Sequence, residues 1–161
     1  MSRYRYLTAA AVLLFSAVCA SSAIAASIIH VSLKDNGPEA AMADNMGMGL
    51  SADTSTAAMR VVVDAQTVPA GEITFAVTND SKDLVHEMLV VKVADIGSQL
   101  PYNLDDARID EDKAGSLGEV SELDPGKAGS LTLKLDPGTY ALLCNMPGHF
   151  MTGMWTTISV K

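Results

Sequence analysis

The sequence predicts an all-β domain, a sandwich or barrel of short strands. Three observations carry that expectation. Apolar and polar residues alternate with a period of two in several segments. Turn signals separate them, including Asp-Pro-Gly at both 124–126 and 136–138. The chain then closes on a strand-like segment, 155–160, behind a loop that holds Pro147 and Gly148.

The N-terminus reads as an export signal. Arg3 and Arg5 form a basic end, residues 7–20 are apolar, and Ala23 and Ala25 fit a small-x-small cleavage site. Cleavage after Ala25 would start the mature protein at Ala26. The rival reading is an uncleaved anchor, since residues 7–26 approach the length of a membrane span. Residues 26–57 lack a periodic pattern and are expected to be a flexible segment, with 27–33 as a candidate early strand. Met42, Met46 and Met48 cluster there, with Met59 further on. Soft thioethers suit Cu(I), although an incidental cluster in a flexible tail is the favoured explanation, because the cluster is short and lacks His. His30, between Ile29 and Val31, reads as a strand histidine.

Strand patterning begins near residue 58. Met59, Val61, Val63 and Ala65 share one face, and Ile73, Phe75 and Val77 share another after a turn at 68–71. A loop at 79–83 leads into a strand over 85–93, with His86 at its start. Residues 94–118 do not read as strand. They carry Asp105, Asp106, Asp110, Glu111 and Asp112, and a short helix near 104–113 is expected. The run is an acidic insertion, either a solvated face or a docking patch. Leu131, Leu133 and Leu135 alternate with polar residues between the two Asp-Pro-Gly turns. Tyr140 to Leu143 then leads into the loop. On the last strand Met154, Thr156, Ile158 and Val160 share a face, so Met154 is expected to point inward. Domain organisation follows: 1–25 signal peptide, 26–57 flexible segment, 58–161 β domain.

Charge narrows the partners. The 161 residues hold 11 basic and 19 acidic side chains. Loss of residues 1–25 removes Arg3 and Arg5 and no acid, so 9 basic residues face 19 acidic ones, a net charge of −10. Such a surface repels nucleic acid and anionic membrane and attracts a cationic partner. Cys19 also leaves with the signal, and Cys144 becomes the single mature cysteine. An exported thiol without a disulfide partner needs a role.

The loop supplies that role. Cys144, His149 and Met154 follow a Cys-x4-His-x4-Met spacing. One thiolate, two imidazoles and a weak axial thioether form a type 1 copper site. The chain has three histidines, and His86 is the candidate for the second imidazole. Structural zinc would call for more Cys.

With those residues in hand, residues 58–161 resemble the cupredoxins, the blue copper proteins, in particular members with a Cys-x4-His-x4-Met loop. The resemblance implies an antiparallel Greek-key β-sandwich, one copper ion held by His86, Cys144, His149 and Met154, and electron transfer. In that family an Asn commonly follows the first His and ties the two ligand loops together. Glu87 stands there in this chain, which puts that link in question. The backbone N–H groups of Glu87 and Met146 remain available to the Cys144 sulfur. Met146, Pro147, Phe150 and Met151, with Met88 nearby in sequence, are expected to form an apolar surround for the site.

Two functions of different classes compete. One is an exported, monomeric electron carrier, not an enzyme, that serves a c-type cytochrome or a terminal oxidase in the periplasm. The other is a periplasmic copper-handling protein, favoured by the Met42–Met48 cluster. A multicopper enzyme would need more histidines.

Overall fold

The computed structural model describes residues 26–37, 50 and 53–161. The expected signal peptide and the Met42, Met46, Met48 cluster lie outside these residues. The described strands are β1 (Ser27–Asp35), β2 (Met59–Val63), β3 (Thr67–Val68), β4 (Gly71–Asn79), β5 (His86–Val93), β6 (Tyr102–Asn103), β7 (Arg108–Ile109), β8 (Ser116–Leu123), β9 (Ala128–Leu135), β10 (Gly138–Leu143) and β11 (Trp155–Val160), with one helix, α1 (Glu111–Ala114). One sheet has the order β2-β1-β4-β9 and the other β3-β11-β10-β5-β8. The chain passes between these two sheets at β2–β3, β3–β4, β4–β5, β8–β9 and β9–β10, and the two sheets share one core.

That core follows the alternation in the sequence. Ile29, Val31 and Leu33 of β1 and Ile73, Phe75 and Val77 of β4 face Met88 and Val90 of β5, Tyr140 and Leu142 of β10, and Ile158 and Val160 of β11. Full burial of a side chain of this size contributes roughly 1.5–3 kcal/mol. Met59 is a core residue, as its place on one strand face with Val61 predicts. Its sulfur accepts a hydrogen bond from Thr152 Oγ1.

Three features differ from the sequence expectations. First, the candidate early strand over 27–33, placed within a segment expected to be flexible, is a full strand of the sandwich. Residues 27–35 form β1, paired antiparallel to β2 and parallel to β4. Its inward residues alternate, but outward Ile28, 60% exposed, turns the alternation into a short apolar run and hides the period. Second, the sandwich is mixed, because β3 also pairs parallel, with β11. Third, the acidic insertion carries structure of its own. β6 and β7 form a hairpin, and α1 is shorter and later than the helix expected over 104–113.

That insertion covers the outer face of the second sheet. Leu89, Val91, Val93, Ala141, Leu143 and Trp155 turn away from the main core and pack with Leu100, Ile109 and Phe150. β5 is therefore buried on both faces for most of its length. A strand buried on both sides reads as a continuous apolar run rather than an alternation.

Asn79 joins the end of β4 to the approach to β5. It is fully buried. Its Nδ2 donates to the Leu84 carbonyl (2.9 Å) and the Leu123 carbonyl (2.7 Å), and its Oδ1 accepts from Ser81 N–H (2.9 Å). Leu84 lies two residues before His86, so this side chain sets the path on which His86 arrives. Asn79→Ala leaves two carbonyls and one N–H short of a partner, each worth ~1–3 kcal/mol when buried. We expect urea unfolding of the copper-free variant to show a loss of about 2–4 kcal/mol, and a loss below about 0.5 kcal/mol would show that the loop does not depend on it.

Candidate metal centre

Two turns of chain bring the sequence-predicted donors to one end of the sandwich. Cys144 follows the last residue of β10, and its N–H donates to the Met154 carbonyl (3.0 Å). This bond extends the β10–β11 ladder by one step and closes the intervening loop. Within the loop, His149 N–H donates to the Met146 carbonyl (3.0 Å) and Met154 N–H to the His149 carbonyl (3.1 Å). Gly148 and Gly153 adopt left-handed backbone, φ 81° and 92°, where a side chain would be strained. His86 opens β5 and is fully buried.

The donor atoms converge. Cys144 Sγ lies 3.3 Å from His149 Nδ1 and 3.8 Å from His86 Nδ1, and the two Nδ1 atoms are 3.2 Å apart. The centre of that triangle is about 2 Å from each corner, close to the length of a metal–nitrogen bond. His86, Cys144 and His149 are the one cluster of potential ligands among the described residues. Met154 is fully buried in the same core cluster as Cys144, as its place on the strand face predicts. One sulfur and two imidazoles, with a thioether nearby, fit copper in both oxidation states.

Burial shapes the protonation of this set. It pushes the Cys144 thiol up to about 12, against the pull of hydrogen bonds from the N–H groups of Glu87 and Met146. The thiol therefore ionises at neutral pH only when a metal takes the place of its proton. Burial, then the neighbouring His86, lowers His149 to about 4. His86 is lowered by burial also, while Asp35 pulls in the opposite sense. Both imidazoles are thus neutral and ready to bind at pH 7.

The ring of residues behind the donors was mostly invisible in the sequence. His86 Nε2 faces Asp35 Oδ2 of β1 at 2.8 Å. Glu87 N–H points at Cys144 Sγ (3.5 Å), as expected. The Glu87 side chain does not make the loop-to-loop link, for its buried Oε1 accepts no hydrogen bond from the described residues. It lies 3.8 Å from Arg108 Nη1 of β7. Asn145 ties the ligand loop to the insertion instead. Its Oδ1 accepts from Ile109 N–H (2.6 Å) and its Nδ2 donates to the Ile109 carbonyl (3.0 Å) and to Glu111 Oε1 (2.9 Å). Gly148 N–H adds a bond to the Ala107 carbonyl (2.8 Å). Of the expected apolar surround, Phe150 proves fully buried and packs on Tyr102. Met146 and Met151 are half-buried and Pro147 is exposed.

Glu87 gives this centre a pH signature. Burial, then repulsion from Glu119, raises its carboxyl to about 7 from an ordinary 4.5, with Arg108 opposing. In the copper-free protein the folded state holds this proton where the unfolded state has lost it. The stabilisation is complete below pH 4.5 and vanishes as pH rises through 7. Gln imitates the neutral carboxyl at every pH. The unfolding free energy of Glu87→Gln minus that of wild type should rise between pH 4.5 and 7.5, by at most about 3 kcal/mol. Urea titrations at pH 4.5, 6 and 7.5 check this, and a difference that stays flat contradicts it.

Comparison with known proteins agrees with the geometry. Residues 48–161 match the family described as copper binding proteins, plastocyanin/azurin family. Over 50 residues the chain is 38% identical to Auracyanin-B of Chloroflexus aurantiacus, a stretch that is 30% of this chain and 21% of that one. The match thus spans about a fifth of that relative's length. Among solved structures, the chain is similar to dithionite-reduced auracyanin from Roseiflexus castenholzii, with 22% identity, a TM-score of 0.50, and coverage of 84% of this chain and 96% of that one. It is also similar to rusticyanin from Thiobacillus ferrooxidans, with 18% identity, a TM-score of 0.55, and coverage of 84% and 77%. These two likenesses concern the fold. The family match takes in well over half of the sequence, including every donor in the cluster, and the chain belongs to the plastocyanin/azurin family of copper binding proteins.

Proposed function

We propose that this protein is an exported type 1 copper protein that carries single electrons, with His86, Cys144, His149 and Met154 as the ligands of one copper ion. The observation that carries the reading is the convergence of Cys144 Sγ and two imidazole Nδ1 atoms within 3.8 Å of one another. Bound copper would supply the Cu(I)/Cu(II) couple. The residues of the chain do the rest. Strand ends and the short hydrogen-bonded loop hold the donors in place before metal arrives, which limits rearrangement when the charge changes. Met154 would be the fourth and weakest donor. Burial of His86 and Cys144 excludes water, while the partly exposed His149 offers a route to the surface beside Met151.

Export rests on the N-terminal signal sequence over residues 1–25, and no described helix is long and apolar enough to cross a membrane. The acidic surface favours a cationic partner, such as a c-type cytochrome, over a nucleic acid. A terminal oxidase is a second candidate partner. A copper-handling role would rest on Met42, Met46 and Met48.

Titration with one equivalent of Cu(II) should give an intense visible band that Cys144→Ser abolishes. Met154→Leu should keep the copper and raise the potential, because it removes a weak donor that favours Cu(II). A blue Cys144→Ser variant, or a Met154→Leu potential unchanged or lower by voltammetry, would count against this ligand set.

Stopped-flow reduction by a c-type cytochrome separates carrier from copper handler. The mature protein, whose first residue by mass spectrometry should be Ala26, is compared with Met151→Lys and with a Met42/Met46/Met48→Ser triple variant. Deleting the whole lead-in is unsuitable, since β1 belongs to the sandwich. A carrier shows exchange that slows as salt rises, since screening acts over ~10 Å at 0.1 M. It slows further in Met151→Lys with the colour intact, and is unchanged in the triple variant. Slow, salt-independent exchange with Cu(I) transfer that depends on the three methionines would overturn the carrier reading.

A further inference from the structure

Asp35 reaches the His86 imidazole from a distant part of the chain. It lies on β1, 51 residues before His86, in a segment the sequence offers no reason to connect with the centre. Its side chain is only 3% exposed, and that of His86 is fully buried. Its two oxygens are divided between two tasks. Oδ1 accepts from Gly37 N–H at 2.7 Å, and Oδ2 faces His86 Nε2 at 2.8 Å. Burial would raise this acid, but the influence of nearby Ser81 and the bonds from His86 and Gly37 N–H together outweigh it and keep the carboxyl below its ordinary range. Among the described residues its one ionisable partner within ion-pair reach is His86. A buried carboxylate aimed through a neutral ring at three converging donors is costly on its own. It becomes favourable once a cation occupies the far side of that ring.

We propose that Asp35 is the positioning residue for His86: its carboxylate holds the Nε2 proton, leaves the Nδ1 lone pair directed at Cys144 and His149, and strengthens that nitrogen as a donor to the oxidised metal. This inference rests on His86 being a ligand. The physical basis is general. A ligating imidazole that donates its other N–H to a carboxylate is fixed in tautomer and orientation and becomes more basic. A nearby negative charge also favours the more highly charged oxidation state of the ion. β1 therefore contributes to the centre without supplying a ligand, and its parallel pairing to β4 brings Asp35 beside the loop that ends at His86.

The test has a metal-free arm and a loaded arm, using Asp35→Asn and Asp35→Ala. In copper-free wild-type protein, nitrogen-15 NMR of His86 should show a single tautomer protonated at Nε2. Asp35→Ala should show a mixture or the Nδ1-protonated form. Competition titrations with Zn(II) and Cu(II) should show a roughly 10–100-fold loss of affinity in Asp35→Ala. Asp35→Asn nearly preserves shape and can still accept from one donor, but it lacks the charge. It should bind copper, keep its visible band, and have a higher potential than wild type by voltammetry. Should Asp35→Ala fail to fold, Asp35→Asn carries both arms alone. A merely structural Asp35 would lower the melting temperature of the variants and leave tautomer and potential at wild-type values, and that result overturns the proposal. Failure of the wild-type protein to develop a visible band with Cu(II) would instead overturn the ligand assignment, while the metal-free tautomer still reports on Asp35.

Discussion

The bond from Cys144 N–H to the Met154 carbonyl is the constraint on which the centre depends. It is the last rung of the β10–β11 ladder, and it fixes where the ligand loop leaves and rejoins the sandwich. Below it, paired strands surround the site with core side chains. Above it, the chain between Cys144 and Met154 has little freedom left, because the two glycines and the bonds at His149 use up its turns. His149 is thereby held over Cys144 by local chain geometry. His86 arrives by a different route, from β5, and reaches the same point because β5 pairs with β10 from Leu89 to Val93. Two independent paths thus meet within 3.8 Å.

A second feature supports that rigidity. The strands that deliver His86 and Cys144 are covered on both faces, by the first sheet on one side and by the insertion on the other. The insertion also reaches over the donors. Asn145 and Gly148 of the ligand loop bond to Ile109, Glu111 and Ala107, and Arg108 extends toward Glu87. A segment whose sequence reads as a solvated acidic face thus performs two tasks: its apolar residues close the second sheet, and its backbone clamps the loop. Glu111 turns in to accept from Asn145, while Asp105, Asp106 and Asp112 stay exposed and give the surface its sign.

Charge inside the centre follows a consistent logic. The thiol is held protonated by burial, the imidazoles are held neutral, and Asp35 keeps a buried negative charge. Such an arrangement lacks a cation. A metal bound in place of the thiol proton would supply one, with the Cys144 thiolate and the Asp35 carboxylate to offset its charge. Glu87 sits at the edge of the same balance, and its Arg108 neighbour at 3.8 Å offsets only part of its cost.

How much of this was legible in the sequence depended on distance along the chain. Cys144, His149 and Met154 share one loop, and period-two alternation marks the strands on either side, so local spacing alone determined the donor loop, the inward aim of Met154 and the β class of the domain. His86 could be named because few histidines compete for the role. The remainder was decided by tertiary pairing. Asp35 meets His86 across 51 residues, and Asn145 meets Ile109 across 36. β1 is a strand because β2 and β4 flank it, and β5 loses its wet face because the insertion covers it. Such contacts leave no period or motif behind. They arise where separate segments bury one another, and the carboxylate, amide and guanidinium drawn in with them take their roles from neighbours that only the folded chain provides.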